Sequence, residues 1–276
     1  MQRLWNYALE PTYRSYFLTN SYGFRSYENI VAVQKEILFR INKVGERGDL
    51  KIVLISIEPL LKKAKLHKFF KDLIFPAKDK LRLIKVFETR WKNKKSCKSM
   101  QSDIISLLLS NVMLQGIENI ICENGLICGL RYSYDLIYVF ESNENQSILL
   151  IKIKHFLNNK GFDFNLQKIK ITKLSDGFDF LNWHFIIAND NKIITYPSKN
   201  NWISYKNKIK LTLKTSRYPI YSRIEKINEI SKEWFSYHQY CDMSQIKSQL
   251  QSLKSWAQKY LKSKTKMTRK QINSFF

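Results

Sequence analysis

The chain is poor in acidic residues, in cysteine, and in the small residues that punctuate most globular proteins. Only 23 Asp and Glu stand against 47 Lys and Arg in 276 residues, a net charge of +24. An excess of that size argues against an acid-bearing surface and points to a polyanion, with nucleic acid ahead of a membrane. The four cysteines (Cys97, Cys122, Cys128 and Cys241) contain no CxxC pair, which excludes a zinc ribbon and a dense disulfide framework. They read as reduced, mostly buried thiols. The longest nearly apolar stretch, Ile104 to Leu114, is broken by Ser106, Ser110 and Asn111. It is too short to cross a bilayer, so no membrane partner is expected. The four histidines (His67, His155, His184 and His238) are scattered rather than set at ligand spacing, so no metal and no cofactor is expected on this count.

What is present is apolar enough to fold. Hydrophobic residues make up 44% and aromatics 14%, ample for a buried core, and the length allows one large domain or two ordinary ones. Lys outnumbers Arg 36 to 11, although Arg is the better bidentate phosphate ligand. Ala, Gly and Pro together are scarce, at 6, 8 and 5 residues. Mutational bias in an AT-rich genome accounts for both facts, and organelle genomes are a common source of it.

The charge is segregated. Residues 51–100 carry a net +11, residues 101–150 a net −5, and residues 199–276 a net +13. Two self-repelling basic blocks around an acidic middle favour a binding surface over a merely solvated face. The turn-forming cluster Tyr196-Pro197-Ser198-Lys199-Asn200-Asn201 is the best boundary, which predicts domains over 1–195 and 196–276. Before it, Leu60 to Phe75 and Ile104 to Leu114 read as helices. Ile127 to Phe140 reads as a hairpin turning at Ser133-Tyr134-Asp135, and Phe178 to Ile187 as a strand-like run. After it, Ile224, Ile227, Ile230, Trp234, Tyr237 and Cys241 recur at helical spacing. Asp242-Met243-Ser244 then supplies a turn, and Ile246, Leu250, Leu253, Ala257 and Tyr260 mark a second helix.

Six segments, in order, resemble the reverse transcriptase and maturase proteins of group II introns. Leu9-Glu10-Pro11 with Ser21-Tyr22-Gly23-Phe24-Arg25 is similar to that family's LEP…SYGFRP signature. Gln101 to Asn111 is similar to its PQGxxxSPLLxN helix, with Ser102 and Asp103 among the departures. Arg131-Tyr132-Ser133-Tyr134-Asp135 stands where the family has RYADD. Lys160-Gly161-Phe162, then Lys168 and Lys170, then Gly177-Phe178-Asp179-Phe180-Leu181-Asn182 resemble later palm motifs, with Asn182 replacing a Gly. Ile230 to His238 resembles the helix of the maturase-specific domain X.

The resemblance implies an α+β fold. A reverse-transcriptase-like palm (an antiparallel sheet with helices) would be followed by an all-helical thumb and domain X. It also implies that most of the fingers extension is missing at the start and that no endonuclease tail follows. The early position of Leu9-Glu10-Pro11 leaves no room for a transit peptide, which agrees with synthesis inside an organelle, plastid ahead of mitochondrion.

Polymerase chemistry in this family implies two Mg²⁺ ions on clustered carboxylates. Here the first metal-binding position is Ser56, the matching second acid is Lys62, and the first Asp of RYADD is Tyr134, so Asp135 alone remains. Glu58 is displaced along the strand and followed by Pro59, and does not replace Ser56. The expectation is a catalytically dead palm and no enzyme. The basic residues expected to meet RNA are Arg25, Lys62, Lys63, Lys92, Lys94, Lys95, Lys206, Lys208, Lys210, Lys214, Lys226, Lys232, Lys247 and Lys254. The expected partner is structured RNA: group II-type intron RNA whose folding and splicing it assists, or ribosomal RNA if the chain is a structural part of an organellar ribonucleoprotein. Ribonucleoprotein proteins or a separate fingers subunit are the further partner candidates.

Overall fold

The computed structural model describes residues 2–14, 17, 19–23, 30–44, 50–57, 78–79, 82, 85, 104–120, 126–141, 146–162, 164, 169–188 and 192–265. The protein is α+β, and it divides into two compact units, Met1–Asp176 and Gly177–Phe276. The expected helix at Leu60 to Phe75, and Glu58, lie outside the described residues.

In the first unit the elements run α1 (Gln2–Arg14), β1 (Ser21–Tyr22), α2 (Ile30–Val44), β2 (Leu50–Ser56), α3 (Ile104–Leu114), β3 (Leu126–Tyr132), β4 (Asp135–Glu141), α4 (Gln146–Asn159) and β5 (Ile169–Lys173). The strands form one sheet in the order β1-β3-β4-β2-β5. It is mixed rather than wholly antiparallel as expected, because β1 pairs in parallel with β3, Ser21 opposite Arg131.

Strand alternation sorts the sheet's two faces. Val53, Ile55 and Ile57 of the β2 stretch, with Leu136, Tyr138 and Phe140 of β4, bury one face against Leu9 and Tyr13 of α1, Leu108 and Met113 of α3, and Leu149 and Ile153 of α4. Ile52, Ile137 and Val139 fall on the opposite face by the same alternation and are buried. On α2, Val33, Ile37 and Ile41 are buried, and this helix packs beside β3.

The second unit opens with a three-stranded antiparallel sheet, β6 (Phe178–Phe180), β7 (Trp183–Ile187) and β8 (Ile193–Pro197). The expected single run at Phe178 to Ile187 is therefore two strands. Leu181 and Asn182 both adopt left-handed φ, 48° and 71°, the backbone of a tight two-residue hairpin. Asn stands in place of Gly there because its short polar side chain tolerates that region.

Three helices follow: α5 (Lys199–Lys214), α6 (Ile220–Tyr237) and α7 (Lys247–Lys264). Ser198 caps α5, its hydroxyl accepting from the Asn201 N–H at 3.3 Å. The helical stretch does begin at the Tyr196–Asn201 turn, but the compact unit begins before the sheet. The ties are visible: the Tyr237 hydroxyl donates to the Leu181 carbonyl at 2.6 Å, and its ring stacks on Trp183 at 4.9 Å. The Asp242 N–H also donates to the Thr195 carbonyl at 2.6 Å.

Candidate nucleic-acid interface

Ser56 and Asp135 are direct partners across the β2–β4 ladder, so their side chains share a face. Asp135 is the first residue of β4, immediately after the Ser133-Tyr134 turn. The Ser56 hydroxyl donates a hydrogen bond to its carboxylate. Burial raises the Asp135 pKa above the usual carboxylate value, and the Ser56 bond partly opposes that shift.

Tyr134 points the other way. It is 4% exposed, packs with the core of the first unit, and its hydroxyl lies 2.9 Å from the Ser110 Oγ of α3. The three positions therefore offer one carboxylate, one hydroxyl that serves it, and a phenol buried on the far face. That donor set does not fit a pair of Mg²⁺ ions, which require several hard carboxylate oxygens in octahedral geometry. Among the described residues no cluster of three or more His, Cys, Asp or Glu is placed to hold a metal.

Other residues of the recognised segments converge on a single buried guanidinium. Arg131 is fully buried and donates to Glu118 Oε1 at 2.5 Å, to Asn111 Oδ1 at 2.7 Å, to the Ser133 carbonyl at 3.0 Å, and to the Ser21 hydroxyl. Asn111 in turn donates to the Gly23 carbonyl at 2.8 Å. Gly23 has φ +96°, and a Cβ there would lie 2.9 Å from the Ser133 nitrogen, so only glycine fits. Ser21-Tyr22-Gly23, the end of α3 and the β3–β4 turn are thus pinned together by polar bonds with no route to water. These motif residues do structural work, and that work does not depend on the metal ligands.

In the second unit the charge is segregated by helix. By sequence, α5 holds five lysines and no acid, and α7 holds five lysines and no acid. Between them, α6 balances Arg223, Lys226 and Lys232 against Glu225, Glu229 and Glu233, a net charge of zero. The apolar stripe read from the sequence is the core: Ile224, Ile227, Ile230 and Trp234 of α6 pack with Trp202, Tyr205, Ile209 and Leu213 of α5 and Leu253, Ala257 and Leu261 of α7. The two acid-free helices are neighbours, since Lys210 Nζ sits 4.9 Å over the Trp256 ring, a cation–π contact that leaves the ammonium at the surface.

The expected lysines sort unevenly over this frame. Residues two apart lie about 200° around a helix, so Lys208 cannot share a face with Lys206 and Lys210. Lys199, Lys206, Lys210 and Lys214, spaced by seven, four and four, form one stripe along α5. Lys199 was missed by sequence reasoning, as were Lys262 and Lys264 of α7, all exposed. The absence of acids from whole helices was the signal available. Lys214, Lys226, Lys232, Lys247 and Lys254 are exposed, but Lys226 and Lys232 each have Glu229 three residues away on their own helix. Arg25, Lys62, Lys63, Lys92, Lys94 and Lys95 lie outside the described residues.

A polar pin also holds the α5–α6 pair. Asn201 Oδ1 accepts from Trp234 Nε1 at 2.7 Å and from His238 Nε2 at 2.9 Å, while the Cys241 thiol lies 3.5 Å from His238 Nδ1. Burial lowers the His238 pKa from 6.5 to about 4, so the ring is neutral, with its proton on Nε2 facing Asn201.

The model of the family described as "Group II intron, maturase-specific domain" matches residues 204–275, which span most of α5 and all of α6 and α7. A protein named Maturase-like protein 1 from Euglena longa is 30% identical over 272 residues, covering 96% of this chain and 58% of that protein. The Euglena gracilis protein of the same name is 29% identical over 258 residues, covering 93% of this chain and 55% of its own length. The chain thus spans somewhat more than half the length of the curated relatives it matches. A chain in a solved structure of telomerase from Candida albicans with a fragment of telomeric RNA aligns over 94% of this chain and 49% of its own. Its TM-score is 0.40 at 13% identity, too loose to carry weight.

Proposed function

We propose, from the premise that this chain is a degenerate member of the group II intron maturase family, that it binds group II-type intron RNA and assists its folding and splicing without polymerase activity. The observation that carries the reading is the pair of neighbouring acid-free helices, most of α5 and all of α7 lying in the segment that matches the maturase-specific domain. Structured RNA is recognised largely through its backbone and shape, which asks for closely spaced cations on a rigid frame rather than for a catalytic group. The ribozyme does the cutting, and the protein holds the fold. In this reading the sheet of the first unit is the remnant of a palm, and the helices from Lys199 onward are thumb and domain X. The donor set at Ser56, Tyr134 and Asp135 supports the loss of polymerase chemistry. The lysine-rich composition and the Euglena relatives support synthesis in an organelle, the plastid first.

The test is the salt dependence of binding to a group II intron transcript. Each lysine that neutralises a phosphate adds about 0.7–0.9 to the slope of log affinity against log salt. Replacing Lys199, Lys206, Lys210 and Lys214 by Gln lowers that slope by about three units, while Lys226→Gln/Lys232→Gln on charge-balanced α6 lowers it by less than about one. Equal effects from both variants would refute the assignment of the surface to α5. Primer extension with Mg²⁺ or Mn²⁺ stays at background, and extension lost in Asp135→Ala would overturn the second half of the reading.

A further inference from the structure

The α5–α6 end of the second unit holds a groove of about 750 Å³ lined by charges of both signs and an aromatic ring. Lys214, Tyr218, Glu225, Lys226 and Glu229 all face it. Tyr218 is 55% exposed, a large ring left in water on a segment that is not free to relax. Arg223 fixes that segment: its guanidinium donates to the Tyr218 carbonyl at 2.7 Å and to the Leu213 carbonyl at 3.0 Å. Glu225 and Glu229 stand one helical turn apart and repel each other, on a chain with a net charge of +24. Neither makes an ion pair with another described residue, although Lys214 and Lys226 line the same groove.

From this groove we propose that the protein holds one unpaired guanine of its RNA, stacked on Tyr218 and read by Glu225 or Glu229. The proposal rests on the RNA-binding reading above and adds a base-specific subsite to it. A carboxylate only accepts hydrogen bonds. Guanine alone presents two adjacent donors, N1–H and the N2 amino group, on its Watson–Crick edge, and a carboxylate accepts both. Adenine and cytosine each set one amino donor beside a ring nitrogen that repels a carboxylate, and uracil sets one N–H between two carbonyls. An exposed aromatic face gives the stacking platform that a splayed-out base takes in single-stranded RNA recognition. Lys214 and Lys226 at the same groove are placed for the flanking phosphates, so the mixed lining matches a nucleotide's own mixture of anion, ring and donor edge. The volume exceeds that of one nucleotide.

The experiment compares a 12-nucleotide all-uridine RNA with the same RNA carrying one central guanosine, inosine or adenosine. Guanosine binds about tenfold tighter than uridine, and inosine, which lacks the N2 amino group, loses most of that gain. Adenosine shows no gain beyond stacking. Glu225→Gln/Glu229→Gln erases the guanosine-to-uridine ratio while strengthening binding of the all-uridine RNA, because two phosphate-repelling charges are gone. Tyr218→Ala lowers binding of the guanosine and inosine RNAs alike. A ratio near one in the unaltered protein, or a ratio that survives in the double Gln variant, overturns the proposal. Weak all-uridine binding that ignores both salt and the α5 lysines would instead sink the RNA-binding reading, and the two failures are distinguishable.

Discussion

Arg131 is the residue on which the first unit's polar architecture turns, and Arg131→Met isolates its contribution. The side chain is fully buried, as is Glu118, and methionine nearly fills its volume without its charge. The variant leaves Glu118 with the Gly116 N–H at 3.0 Å as its remaining contact in this network. Removing one partner of a buried ion pair costs about 3–5 kcal/mol, most of it the stranded charge. Asn111, Ser21 and the Ser133 carbonyl each lose their Arg131 donor as well, at roughly 1 kcal/mol apiece. Adding Glu118→Gln removes the stranded charge, so the double variant recovers about 1–3 kcal/mol relative to Arg131→Met alone. Trp183, Trp202, Trp234 and Trp256 lie in the second unit and Trp5 and Trp91 in the first, so intrinsic fluorescence mixes the two units and is a poor probe here. Amide hydrogen exchange on β3 and β4 reads the right unit. A cost under about 1 kcal/mol, with Glu118→Gln simply adding to it, would show that the network is ornamental.

His238 supplies a pH prediction. Its folded pKa of about 4 lies below the unfolded 6.5, so the neutral ring stabilises the fold at neutral pH, and that contribution is lost as pH falls from 6.5 toward 4. At 1.36 kcal/mol per unit the loss totals about 3 kcal/mol, visible as a slope in urea midpoints that His238→Gln removes. Ser56→Asp tests the metal reading from the other side: two carboxylates directly opposed on the β2–β4 ladder repel, so the variant is less stable until Mn²⁺ or Mg²⁺ is added. Stability of the unaltered protein should ignore both ions, and an equal metal response in both proteins would refute the donor-set argument.

The strands and helices whose apolar period was strong were legible. The limits of α3 at Ile104 and Leu114, the β3–β4 hairpin and the α6 stripe all follow from spacing that only one face can bury. The β6–β7 hairpin was not, because its turn is Leu181-Asn182, and neither residue announces a left-handed backbone as Gly would. The compact unit boundary was missed because Tyr196–Asn201 is a true helix start. Which sheet packs on those helices depends on Trp183 and Tyr237, residues far apart in sequence. Counting lysines along the string gave the wrong grouping for a helix. Lys206, Lys208 and Lys210 are adjacent in the string, yet a helix sends the middle one to another side.

The recognised segments and the chemistry that the family resemblance implies rest on different residues. A palm carboxylate earns its place only through a bound metal, whereas Arg131, Asn111, Ser21 and Gly23 are held by each other and bury polar atoms that would otherwise be orphaned. Ser56, in place of a carboxylate, serves as donor to the buried Asp135. Losing the Arg131 network unfastens β1, α3 and the hairpin at once. Once Tyr134 has turned its ring into the core against Ser110, a carboxylate at that position would trade a packed phenol for a buried charge. The sheet is therefore locked as a scaffold by its own packing. Among the described residues, the acid-free helices α5 and α7 lie in the second unit, apart from that packing.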